Sequence, residues 1–151
     1  MSDQISRLIP DDPGFVPTTK AQEAALATLR KLAPQADEIT SGVDEGVTFR
    51  DCGANFEGVA CPKCRSEIDL DTWQGWMEED YSDPDGFRLG SFVTPCCTTE
   101  VRLSDLVYDW PQGFSRYHLT ARNVGRPLSS ASIRQLEGVL GCKLRVIRQQ
   151  L

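Results

Sequence analysis

The stretch Cys61-Pro62-Lys63-Cys64 constrains this chain more than any other. Two cysteines with two residues between them fit a tight turn that points both sulfurs at one ion, with backbone amides turned toward the sulfurs. Tetrahedral closure needs a second pair. The sequence offers Cys96 and Cys97, in Thr94-Pro95-Cys96-Cys97. Adjacent side chains tend to diverge, so a turn at Thr94-Pro95 has to bring both sulfurs inward. If it does not, Cys52 is the expected substitute ligand, and His118, the single histidine, comes next.

Two readings compete with a metal site. A redox pair of this spacing usually opens a helix, whose N-terminus lowers the thiol pKa. Here Arg65-Ser66-Glu67-Ile68-Asp69-Leu70 follows, and its alternation reads as a strand. The other rival is a set of unrelated buried thiols, the default for Cys142. Metal is favoured, and the expected cofactor is a structural Zn2+. Four cysteine ligands leave that ion no open coordination position.

The chain has 151 residues, enough for one ordinary domain or one core with a small inserted module. Its 40% hydrophobic and 25% charged fractions are those of a globular protein. No run approaches the roughly 18 apolar residues of a membrane helix. The opening MSDQISRLIPDDPGF has neither the basic nor the apolar region of a secretion signal. The expected location is therefore cytoplasmic, where thiols stay reduced and bind metals rather than one another. Charge is uneven. Residues 1–100 carry 8 Lys/Arg against 19 Asp/Glu, and residues 101–151 carry 8 against 3. The acidic bulk argues against nonspecific nucleic-acid binding, while the basic end allows a local basic surface.

Along the chain, DQISRLIP alternates as a short strand. TTKAQEAALATLRKLAP reads as a helix capped by Thr18 or Thr19, with Ala25, Leu26, Leu29 and Leu32 as its apolar stripe. GVTFRDCG supplies a strand through Val47 and Phe49. The middle reads as two short strands around a cysteine knuckle. A helix follows, starting at Asp71 or Thr72 with Trp73, Trp76 and Met77 on one face, and then further short strands. GFSRYHLTARN is a strand, LSSASIRQLEGVLG a helix capped by Ser129 or Ser130 and stopped by Gly141, and CKLRVIRQ a final strand. The expected class is α+β. Residues 1–51 and 113–151 form a ferredoxin-like, split βαβ sandwich, and residues 52–112 form an inserted zinc-ribbon-like module with one helix.

Two surfaces stand out. EEDYSDPDG groups Glu78, Glu79, Asp80, Asp83 and Asp85, a candidate dock for a basic partner. It is not a calcium loop: the position five before Gly86 should be Asp and is Tyr81, and Pro84 intrudes. Alternation on the later strands puts Arg116, His118, Arg122, Lys143 and Arg145 on a candidate basic face. Such a face would suit RNA or single-stranded DNA, although no RNP-like aromatic pair accompanies it. No GxSxG, HExxH or phosphate loop occurs, and the reading leans away from an enzyme.

DCGANFEGVACPKC, TPCC, LVYDWPQGFSRY and GCKLRVI together resemble a group of small, uncharacterised bacterial proteins with a C-P-x-C…P-C-C, zinc-ribbon-like pattern. The resemblance spans most of the chain. It implies a metal site and transfers no activity and no catalytic residues. The functional expectation is a zinc-stabilised protein-binding protein, such as an adaptor or an immunity-type inhibitor of a toxin. Nucleic-acid binding through the basic face and an enzyme without a recognisable motif are the alternatives. No membrane partner is expected, and oligomeric state is left open.

Overall fold

The computed structural model describes residues 3–150. The alternating start becomes β1 (Gln4–Pro10), followed by α1 (Thr19–Leu32). Thr18 caps α1 by accepting a hydrogen bond from the Ala21 amide, which satisfies one of the helix's free N–H groups. The next strand, β2 (Glu38–Arg50), starts well before the expected Val47. Its early residues have weak strand propensity and are held by pairing, from Glu38↔Arg122 to Arg50↔Gly113, with a bulge between Val43 and Thr48.

The middle of the chain contains β3 (Gly58–Ala60), α2 (Leu70–Asp80), β4 (Tyr81–Ser82), β5 (Gly86–Phe87), β6 (Phe92–Val93), β7 (Glu100–Val101) and β8 (Val107–Asp109). RSEIDL is not a strand; it makes one bridge, Ala60↔Glu67. GFRLGSFV splits into β5 and β6. The cap of α2 is Asp69, two residues before the expected position, and it accepts from the Asp71 amide. The chain then resumes with β9 (Gly113–Arg122), α3 (Ser130–Leu140) and β10 (Leu144–Gln150). Ser129 caps α3, and Gly141, at φ 78°, ends it in the left-handed conformation that glycine adopts without penalty.

The architecture is α+β, with three helices and a mixed six-stranded sheet in the order β10-β1-β9-β2-β5-β4. β10, β1, β9 and β2 pair antiparallel, whereas β2 and β5 pair in parallel at Val47↔Gly86. That parallel contact needs two glycines. A Cβ at Gly46 would strike the backbone of Asp85, and one at Gly86 the backbone of Val47.

Helices α1 and α3 pack together over Leu8, Tyr117, Leu119 and Ala121, closing a core with Ala25, Leu29, Leu136 and Leu140. Each such leucine removed from water stabilises the fold by roughly 1.5–3 kcal/mol. A second cluster gathers Val59, Cys61, Ile68, Trp73, Val101, Leu103, Leu106 and Tyr108 on Phe114, with Phe49 alongside. Phe49 and Phe114 are register partners, their rings 5.0 Å apart. Trp73 donates its indole N–H to the Tyr108 hydroxyl, which donates to the Leu103 carbonyl. Trp73, Trp76 and Met77 are thus packing residues, as their helical spacing predicts. Where the middle residues leave and rejoin the sheet, Cys52 packs with Ile9 and Ile147. Its amide donates to Gln112 Oε1 at 3.2 Å.

Candidate metal centre

β3 carries the chain into a turn that starts at Cys61. The Cys61 amide donates to Ser66 O (2.9 Å), and the Arg65 amide donates back to Cys61 O (3.0 Å). Arg65 sits at φ 65°, the left-handed residue that closes the turn. β6 carries the chain into a second turn that starts at Thr94. The Thr94 amide donates to Thr99 O (2.9 Å), the Thr98 amide donates to Thr94 O (3.0 Å), and Thr98 sits at φ 53°. The two turns share one hydrogen-bond pattern, with proline second in each. Cys61-Pro62-Lys63-Cys64-Arg65-Ser66 corresponds to Thr94-Pro95-Cys96-Cys97-Thr98-Thr99.

This correspondence explains how adjacent cysteines can make a half-site. The fourth positions, Cys64 and Cys97, match. The first-position sulfur of Cys61 has no counterpart, because Thr94 stands there. The second turn instead supplies its other sulfur from the third position, Cys96, where the first turn has Lys63. Thr94 is fully buried. Its Oγ1 accepts from the Thr99 amide (3.0 Å), leaving its hydrogen free for Cys97 Sγ, 3.6 Å away. Thr99 Oγ1 lies 3.2 Å from the same sulfur. This pair of hydroxyls was not singled out from the sequence. Setting TPCCTT under CPKCRS would have shown the shift.

The four sulfurs converge within 4.8 Å of one another. Cys61 and Cys97 are 3.7 Å apart, Cys64 and Cys96 3.3 Å, and Cys96 and Cys97 3.9 Å. A regular tetrahedron with ~2.3 Å metal–sulfur arms has edges of about 3.8 Å, so the four cysteines could hold a metal ion. Cys61 is buried, Cys97 half-buried, and Cys64 and Cys96 exposed. The site therefore has an inner and an outer pair of sulfurs. Hydrogen bonds from Thr99 and then Thr94 hold the Cys97 thiol down at about 6. Ser66 lowers the Cys64 thiol, while hydrogen bonding to Cys64 pushes Cys96 up to about 11. No helix follows Cys64 to open a redox turn.

The other candidate residues lie elsewhere. Cys52 is buried between Ile9 and Ile147, and burial raises its thiol pKa. His118 is on β9 with Nδ1 2.9 Å from Thr120 Oγ1; burial, then Arg50 and Arg7, lower its pKa. Neither belongs to the four-sulfur group. Cys142 is partly buried against the helical core, and burial pushes its thiol up to about 11.

Of the acidic set, Glu78, Glu79, Asp83 and Asp85 are exposed, whereas Asp80 is buried. The Asp80 carboxylate accepts from the Leu89 and Gly90 amides, both at 2.8 Å, and ties that loop to the end of α2.

Of the basic set, Arg116 donates to Asp44 O (3.0 Å), Arg122 pairs with Asp3 (3.4 Å), and Arg145 donates to Gln112 O (2.8 Å) beside Asp11. Lys143 is exposed in the turn before β10. No helix among the described residues is long and apolar enough to cross a membrane.

Comparison with protein families, curated proteins and solved structures gave no match.

Proposed function

We propose that this chain is a zinc-stabilised protein-binding protein of the cytoplasm, an adaptor or an immunity-type inhibitor of a toxin. The observation that carries the metal half is the convergence of four cysteine sulfurs on two matched turns. An all-cysteine tetrahedral set suits Zn2+, with Fe as the chief rival, and leaves no position for substrate. The ion's role is then structural. The resemblance to small bacterial proteins draws on these cysteines together with LVYDWPQGFSRY and GCKLRVI. The strand order β10-β1-β9-β2, with both α1 and α3 on one face, supports a ferredoxin-like sandwich built from residues 1–51 and 113–151. Residues 52–112 are then its inserted module.

The protein-binding half is carried by Glu78, Glu79, Asp83 and Asp85, exposed carboxylates that form no ion pair among the described residues. They suit a basic patch on a partner, favouring fast and salt-sensitive association. The predicted basic face supports the nucleic-acid alternative less well, because Arg116, Arg122 and Arg145 already have oxygen partners.

Elemental analysis of protein purified without chelators tests the metal. One equivalent of zinc and no visible absorbance is expected; a coloured, iron-containing protein would refute zinc but keep the four-cysteine site. Purification from its own host at low and high salt tests the partner. A protein that co-purifies at low salt and is lost with Glu78→Lys/Glu79→Lys is expected, and the absence of any partner at either salt would remove the binding role.

A further inference from the structure

Trp110 lies between β8 and Pro111, and its backbone φ is 63°. Bulky residues rarely adopt this left-handed conformation, and where one is held there, function is a common reason. Trp73 and Trp76 are engaged, by Tyr108 and by stacking on Phe92. Trp110 is 41% exposed and its ring makes no ring contact among the described residues.

Beside it is a cavity of about 180 Å³, lined also by Ser6, Asn55, Arg126 and Arg148. Arg126 comes from the loop before α3, and Arg148 from β10. Asn55 Nδ2 fixes the Arg148 carbonyl at 3.1 Å. Both guanidinium groups are without a carboxylate or hydrogen-bond partner among the described residues. The contrast with Arg116, Arg122 and Arg145 is direct, since those cations are committed to protein oxygens.

Two arginines without an acidic partner lining one recess favour a multiply charged anion, since the planar guanidinium fork matches phosphate oxygens. An exposed indole at the rim selects a flat ring, because a nucleobase of any sequence can stack on it. The recess is too small to enclose a whole nucleotide, so the charged end enters it and the ring lies outside on the indole. We propose that Trp110, Arg126 and Arg148 form a nucleotide-binding subsite, with the phosphate in the cavity and the base on the indole. The unit is free or part of a single strand; the recognised chemistry is the same. This site shares no residue with the four-cysteine group or with the acidic surface.

Calorimetric titration with 5′-AMP, adenosine and inorganic phosphate, and anisotropy with a labelled single-stranded A-oligonucleotide, test it. The salt should be about 50 mM, where phosphate contacts are strongest. AMP should bind more tightly than either adenosine or phosphate. Trp110→Ala and the pair Arg126→Gln/Arg148→Gln should each weaken binding at least about fivefold. Arg30→Gln, an exposed arginine on α1, should leave it unchanged. Binding of AMP and oligonucleotide alike assigns the free nucleotide as a ligand; binding of the oligonucleotide alone assigns a strand. The two arginines are exposed, so their double variant reports even if Trp110→Ala fails to fold. Failure of both AMP and the oligonucleotide to bind overturns the site. So does phosphate binding as tightly as AMP, or variants that bind like the wild type.

Discussion

The sheet with α1 and α3 and the cysteine-bearing middle of the chain are ordered by different means. In the first, β1, β2, β9 and β10 run seven to thirteen residues and pair over long registers, and a core of leucine, alanine and tyrosine lies between sheet and helices. In the second, the strands are two or three residues long, and the packing is largely aromatic, around Trp73, Tyr108 and Phe49. Pairs of strands that short are not stable in water on their own. Small units with few ladders ordinarily need a cross-link or a metal. The difference is one of means: long ladders and an aliphatic core on one side, and on the other short ladders that pack on Phe49 and Phe114 of the sheet and bring four sulfurs together.

The largest expected effect breaks the halves apart. Cys61→Ser removes the buried sulfur, and structural zinc contributes on the order of 10 kcal/mol to the folding of small domains. Hydrogen exchange should show rapid exchange across residues 52–112 and retained protection in β1, β9 and α3; equal loss everywhere would mean that the halves fold as one.

Leu119→Ala attacks the other half. It should cost about 2–5 kcal/mol and lower the melting point of both regions, since the sheet carries Phe114. A thermal scan in which the middle survives its sheet would contradict this.

A smaller effect sharpens the match between the two turns. Cys96→Ser should weaken metal binding by at least about tenfold, and adding Thr94→Cys should restore it by rebuilding a C-x2-C turn. Competition with a chromophoric chelator measures both. A double variant no better than Cys96→Ser would show that the two turns are not interchangeable.

The smallest effect is confined to the sheet. Burial, with help from Arg50 and Arg7, depresses the His118 pKa in the folded state, against an opposing pull from Asp44. The unfolded chain then binds the proton more readily. His118 therefore contributes stability above its unfolded pKa of about 6.5, and that contribution is lost as pH falls through the folded value. His118→Gln should flatten the decline in melting temperature between pH 7 and pH 5, and an unchanged slope would exclude the residue.

Much of the sheet with α1 and α3 was legible in the sequence, because its rules are periodic. The stripe Ala25, Leu29 and Leu32, the caps Thr18 and Ser129, the stop at Gly141 and the alternation of β9 are local signals that the structure follows. The extent of β2 was not, since Gly42 is held by pairing with His118 of β9, and Asp44 and Gly46 lie in the bulge between Val43 and Thr48. In the other half, the cysteines announce themselves by spacing. The inward turn of Cys96 depends on which position of the turn Thr94 occupies, which no propensity encodes. Asp80 looks like its acidic neighbours in sequence. Its burial is decided by amides nine and ten residues away.

The neck of the middle segment has a consequence for transplantation. Arg50 and Gly113 are direct cross-strand partners, and Cys52 and Gln112 are joined just beyond them. The chain therefore departs from and returns to one spot, so a tight hairpin turn could replace residues 51–112 and keep β10, β1, β9 and β2 whole, with β5 and β4 lost from the sheet edge. The shortened protein would bare the rings of Phe49 and Phe114, the Ile9 and Ile147 side chains that Cys52 covers, and the edge of β2. In the other direction, a hairpin that carries two tilted aromatic rings one position inside its last pair offers the platform on which the cysteine-bearing segment packs.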